Sequence, residues 1–241
     1  MKINWIGQGG FIFESDGYRL VIDPYLSDSL KDKGGTRMMP PPLAFNEVKP
    51  DALFFTHDHL DHFDEFTVLP ICELHPNCQL MGPKSVVEHI KNVQLTNPII
   101  EFTIGDQIQA GNFKLTILPA YHSDPYSVGV LIESEGFAIY LSGDSLNNPE
   151  LIPALQEACH KDLDAAIICI NGKFNNMSWK DAIEVVTALN PKVAMPMHYG
   201  MFYENTVDPK PFIQTCRDQN QRALELKVGK IEDIKMLISN P

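Results

Sequence analysis

The chain opens on three short segments, residues 2–7, 11–14 and 18–23, dense in Ile, Phe, Val, Tyr and Trp. Such runs read as strands. Ser15-Asp16-Gly17 between the last two has hairpin-turn chemistry, so an antiparallel sheet starts the fold. Residues 24–50 carry no period and hold Gly34-Gly35 and Pro40-Pro41-Pro42. That is too long for a plain connector, which leaves a cleft rim and a surface excursion as equal readings.

Residues 51–56 form an apolar run predicted as a buried strand, and residues 83–91 a helix with proline at its start. Further strands are predicted at 99–104, 113–119, 127–133, 137–141, 165–170 and 192–196, and helices at 149–159, 178–189 and 209–219. Two rounds of mostly antiparallel strands, each followed by helices, predict stacked sheets with helices outside. No repeat, low-complexity tract or linker divides the chain, so the expectation is one α+β domain over 1–241.

Composition narrows the function. With 241 residues and 44% hydrophobic side chains, the chain can bury one large core. Its 31 acidic against 19 basic residues give a formal net charge of -12, a field that repels nucleic acid. A small anionic substrate stays compatible, because bound cations reverse the potential inside a cleft. Five cysteines (Cys72, Cys78, Cys159, Cys169, Cys216) form no C-x-x-C pair and read as reduced thiols. No apolar run of about 18 residues and no leader-like start stand in the sequence, so no membrane partner is expected and the cytoplasm is the default compartment. Homo-oligomerisation stays open.

The decisive segment is Thr56-His57-Asp58-His59-Leu60-Asp61-His62, an H-x-H-x-D-H cluster directly after a predicted strand. Imidazole suits zinc, iron and manganese, and carboxylates harden the set. Further candidates stand at later strand-to-loop steps: His122, Asp144 after Ser142-Gly143, and His198. A rigid scaffold can aim side chains there. His75, His89 and His160 lack such a setting and are read as surface residues. Asp23, at the end of a strand, reads as a turn former. The stretch 171–177 offers Asn171 and Lys173 as amide and ammonium contacts to substrate; an N-cap loop before Ser178-Trp179 has the same sequence.

H-x-H-x-D-H followed by a lone His, a Gly-Asp and a last His after a strand resembles the metallo-β-lactamase superfamily. The resemblance implies a four-layer αββα sandwich. It further implies two divalent metal ions (Zn or Mn, with Fe also suited), one on His57, His59 and His122, the other on Asp61, His62 and His198, with Asp144 bridging. Asp61 and Asp144 are then the catalytic carboxylates, Asp61 orienting the attacking water. The resemblance also implies for Asp23, with weight equal to its turn reading, a hydrogen-bond acceptor near the metals. An Asp where true β-lactamases place a Cys points away from antibiotic hydrolysis. Asp23-Pro24-Tyr25, the histidine cluster and Pro196-Met197-His198-Tyr199-Gly200-Met201-Phe202 resemble more narrowly the L-ascorbate-6-phosphate lactonase-like family, although this chain is shorter than the named lactonase. That implies a phosphorylated sugar lactone as substrate and brings Tyr199 forward as a contact. The expected activity is hydrolysis of a small ester or lactone; phosphodiester hydrolysis, a two-iron redox centre and a metal-binding scaffold or sensor are the alternatives.

Overall fold

The computed structural model describes residues 1–159 and 162–239. His160 lies outside the described residues. Three strands, β1 (Lys2–Gly7), β2 (Gly10–Ser15) and β3 (Tyr18–Ile22), lead through a short helix α1 (Phe45–Val48) to β4 (Ala52–Phe54). Then come α2 (Glu65–Leu74), β5 (Gln79–Gly82), α3 (Lys84–Asn92) and β6 (Ile99–Glu101). The second half runs β7 (Gln107–Ala110), β8 (Phe113–Pro119), β9 (Val128–Ser134), β10 (Phe137–Leu141), α4 (Leu151–Ala158), β11 (Ala165–Cys169), α5 (Trp179–Leu189), β12 (Val193–Met197) and α6 (Lys210–Asp218). It ends in β13 (Ile231–Asp233) and α7 (Ile234–Ser239).

The strands form a seven-stranded sheet, β13-β1-β2-β3-β4-β5-β6, and a six-stranded sheet, β12-β11-β10-β9-β8-β7. Each is mixed, which corrects the mostly antiparallel reading. Hairpin-linked strands pair antiparallel, but β3 to β6 and β10 to β12 are parallel. The cause is in the connections: α2, α3, α4 and α5, and between β3 and β4 the long segment holding α1, each carry the chain back across a sheet, and parallel neighbours need such a crossover.

Side-chain alternation builds the layers. Leu20, Ile22, Ala52, Phe54 and Met81 join Leu115, Ile117, Val130 and Ile132 of the other sheet in one apolar cluster. The intervening Val21, Leu53 and Leu80 instead pack on Val68 and Ile71 of α2 and Val86 and Ile90 of α3. Beyond the second sheet the cluster continues to Leu151 and Leu155 of α4 and Ala182 and Val186 of α5. The order is therefore helix, sheet, sheet, helix, the predicted αββα sandwich.

Several elements escape the sequence reading, among them α1, α7 and the following four. α2 carries Pro70 in its interior, which reads as a helix breaker, yet its buried face of Val68, Ile71 and Cys72 holds it in place. β5 is only four residues long. The edge strand β7 is polar at Gln107 and Gln109. β13 gains its place by pairing with β1, 231 positions away in the chain for Lys2 and Asp233, a contact that no local pattern carries. All five cysteines are free, and burial pushes the thiols of Cys72 and Cys169 up to about 12. Among the described residues, no helix is long and apolar enough to cross a membrane.

Phe54 is fully buried between the sheets and stacks on Phe102 at 4.9 Å. Phe54→Ala is expected to lower unfolding free energy by about 3–5 kcal/mol, read by urea denaturation of metal-free protein. A loss below about 1 kcal/mol would contradict this account of the inter-sheet core.

Candidate metal centre

The carboxyl ends of β1, β3 and β4 from one sheet and of β8, β10 and β12 from the other deliver polar residues to a single spot. β4 leads into His57, His59, Asp61 and His62; β8 precedes His122, β10 precedes Asp144, and β12 runs directly into His198. Ligand-capable atoms of His57, His59 and His122 lie within 4.8 Å of one another, as do those of Asp61, His62 and His198. His57, His62 and Asp144 form a third such group that overlaps both. Asp144 stands 3.0 Å from His198 Nε2, 3.5 Å from His62 Nε2 and 3.9 Å from His122 Nε2. Atoms sharing one tetrahedral ion at bonds of about 2.0–2.1 Å are about 3.3 Å apart, so these spacings match a metal-binding cluster.

Two atoms in this cluster, His57 Nε2 and Asp144 Oδ1, are buried with no hydrogen-bond partner. Leaving such atoms bare costs about 1–3 kcal/mol each. A cation would complete both, and the imidazole-carboxylate donor set fits a first-row divalent ion.

The outer ring nitrogens are fixed from behind. His62 Nδ1 pairs with Asp23 Oδ2 at 2.7 Å, and the Thr56 hydroxyl, which donates to the same carboxylate, faces His57 Nδ1 at 3.0 Å. His122 Nδ1 donates to the Asn175 carbonyl at 3.0 Å. Each contact turns the remaining nitrogen of its ring toward the cluster. Asp23 thus fills the acceptor role, and it also adopts a turn conformation at φ 42°.

Several contributors were not legible as site residues. Gln8 is fully buried just after β1 and donates to Asp61 Oδ2 at 2.9 Å, with its amide 3.2 Å from His198 Nε2. Its one sequence signal is a polar residue set among Gly7, Gly9 and Gly10. A Cβ at Gly9 would come within 2.7 Å of the His62 ring, so the chain must be bare there. Asn176 donates to Asp144 Oδ2 at 2.7 Å. The helix α3 braces the ligand loop from outside. Ser85 donates to Asp124 Oδ2 at 2.6 Å, that carboxylate receives the Asp58 amide at 2.9 Å, and His89 spans Asp58 at 2.6 Å and Glu65 at 2.8 Å. His89 is therefore a half-buried clamp, not the surface residue read from sequence; His75 is also half-buried, at the end of α2.

The centre opens into a cleft of about 420 Å³. Leu30, Lys33, Gly34 and Gly35 line it, so this part of the 24–50 segment forms a cleft rim. The three expected substrate contacts lie elsewhere. Asn171 is buried and donates to Asn205 Oδ1 at 2.9 Å, and the Lys173 ammonium donates to the Glu204 carbonyl at 2.8 Å. Tyr199 packs against Trp5 at 5.0 Å and lines a separate cavity of about 630 Å³ under Pro40, Pro41 and Pro42. The reason is local: Ser178 caps α5 by accepting from the Asp181 amide, and this N-cap loop draws Asn171 and Lys173 away while Phe174 and Asn175 reach the cleft.

Electrostatics separate the rings. Burial, aided by the charge of His62, pushes His57 well below the ordinary imidazole range, so it is neutral. Burial also disfavours charge on His62 and His198, but Asp144 with Asp23 and Asp61 outweighs it, raising His62 well above its usual value and His198 to about 9. Burial likewise opposes ionisation of Asp61 and Asp144, and the paired imidazoles overcome it, holding both well below the usual carboxylate range.

The beta-lactamase superfamily domain matches residues 18–199. Relatives extend the match over nearly the whole chain: a UPF0173 metal-dependent hydrolase of Methanopyrus kandleri is 29% identical, covering 96% of this chain and 97% of its own length. A UPF0173 protein of Pyrococcus furiosus is 30% identical, with 88% of this chain and 89% of its own covered. The fold matches that of Igni18, a metallo hydrolase of the archaeon Ignicoccus hospitalis, at TM-score 0.76 and 22% identity, over 96% and 97% of the two chains. The chain belongs to the beta-lactamase superfamily and, within it, to the UPF0173 family.

Because His62 and His198 hold protons in the cation-free site, metal must displace them. Zinc or manganese affinity is expected to rise as pH goes from roughly 6 to 9, with protons released on binding near pH 7. Titration calorimetry in buffers of different ionisation enthalpy measures this, and proton-neutral binding would contradict it. His89→Ala, which frees Asp58, is expected to weaken metal binding about 10–100-fold in a chelator competition. Unchanged affinity would show that the clamp does not position the loop.

Proposed function

We infer that the protein is a metal-dependent hydrolase that cleaves a small ester or lactone. The observation that carries this is the convergence of His57, His59, Asp61, His62, His122, Asp144 and His198 from both sheets, with His57 Nε2 and Asp144 Oδ1 left bare between them. His57, His59 and His122 would hold one divalent ion and Asp61, His62 and His198 a second, with Asp144 serving both. Zinc and manganese suit the set, and iron fits the same donors. Such ions supply a water acidic enough to ionise near pH 7 and a Lewis acid for the bond under attack.

The chain's own groups do the rest. Asp61 is half-buried at the cleft and steadied by Gln8, which places its carboxylate to orient the attacking water. Asn176 keeps Asp144 turned inward, and Asp23 keeps the His62 ring in register. The cleft's size limits the substrate to a small molecule. Lys33 is the one lysine or arginine among its lining residues. Bound cations would themselves attract a phosphodiester at the centre, but a phosphate carried away from the reacting bond, as on a sugar lactone, would meet no other lysine or arginine of the lining, which favours an ester or lactone without such a phosphate.

The test is a panel of chromogenic esters, lactones and phosphodiesters, assayed with zinc and with manganese. Ester or lactone turnover is expected, abolished by chelation and lowered by about a hundredfold or more in Asp144→Ala. Faster phosphodiester cleavage, or wild-type turnover in Asp144→Ala, would overturn the reading.

A further inference from the structure

One wall of the metal cleft is apolar. Leu60 and Phe174 both line the cleft and are 43% and 67% exposed, and Leu30 and the buried Phe202 continue the wall. Single exposed apolar side chains need no explanation, but a group of them around one functional opening does. Phe174 is also held at φ 53° and Asn175 at φ 62°, a conformation disfavoured for an aromatic residue.

That strained pair is pinned by the metal centre itself. The carbonyl of Asn175 accepts from His122 Nδ1 at 3.0 Å, and the next residue, Asn176, donates to Asp144 Oδ2 at 2.7 Å. The loop that steadies two ligand side chains therefore also fixes where the Phe174 ring stands. Strain of this sort persists where surrounding contacts over-determine it, and it concentrates at ligand-contacting segments. Leu60 is fixed in the same way, between His59 and Asp61 in the ligand loop.

We propose that the substrate is an ester or lactone bearing an apolar substituent, an alkyl or aryl group of several carbons, received by Phe174 and Leu60 while the acyl carbon lies over the metal centre. This rests on the hydrolase reading and narrows its substrate class. Burial of each methylene against such a wall strengthens binding of the substrate and of the transition state together, so selectivity shows in kcat/KM.

The experiment uses the full chain loaded with zinc or manganese and a series of p-nitrophenyl esters from acetate to hexanoate. The expected result is a rise in kcat/KM of about two- to fourfold per added methylene. Phe174→Ser should cut the hexanoate-to-acetate ratio by about fivefold or more, and Phe174→Leu, which keeps an apolar side chain, by less than about twofold. Metal content measured on each variant shows that the centre is intact. A flat series, or a ratio that Phe174→Ser leaves unchanged, overturns the inference while the hydrolase reading stands. If no ester of the series is cleaved, the lactones of the panel above decide the hydrolase reading, and binding decides the inference. Hexanamide should then bind the metal-loaded protein about tenfold or more tightly than acetamide, and equal affinities overturn it.

Discussion

The structure depends on forcing imidazole and carboxylate groups together in a place where water cannot solvate them all. Burial opposes charge on His62, His198 and Asp144 alike, and only their mutual attraction makes the ionised forms tolerable. That attraction repays the cost of desolvation only at close range and in good geometry, so the groups must be held to within a few ångströms of fixed positions. Much of the fold answers this demand. Strand ends, which are the stiffest points from which a loop can start, carry the ligand residues, and the backing contacts of Asp23, Gln8 and Asn176 remove the remaining rotational freedom.

A second demand is steric. Gly143, beside Asp144, adopts φ 57°, and a Cβ there would lie 2.5 Å from the Val128 carbonyl. The Asp144 loop thus passes so close to the neighbouring strand that a side chain at that position is excluded. Gly9 plays the same part under the His62 ring. A Cβ at Gly143 would also lie 3.3 Å from the Thr56 side chain beyond β4, so bare backbone there lets a loop of one sheet approach a loop of the other.

Much of this was legible in the sequence, for identifiable reasons. β1, β8 and β10 have the predicted limits, because apolar runs bounded by turns carry their own signal. The metal-binding clusters contain the side chains singled out by the motif and by the strand-to-loop positions. What escaped was either non-local or disguised. The α3 brace joins Ser85 and His89 to Asp58 and Asp124, residues distant in the chain and ordinary in type. Gln8 shows only as a polar residue among glycines. Tyr199 misled because adjacency to His198 in sequence puts it on the opposite side of the strand end, against Trp5. The substrate stretch was read as a unit, yet before the α5 cap Asn171 and Lys173 turn away while Phe174 and Asn175 reach the cleft.

One feature of the scaffold reaches past the site. The first sheet supplies His57, His59, Asp61 and His62, and the second supplies His122, Asp144 and His198. A cation gripped by all of these would act as a clasp between two layers whose other bond is an apolar seam, adding to cohesion by its own occupancy. A chain cut between β6 and β8 would leave each part with an incomplete grip and an uncovered sheet, so hydrolytic competence and the sandwich itself would be lost in one event.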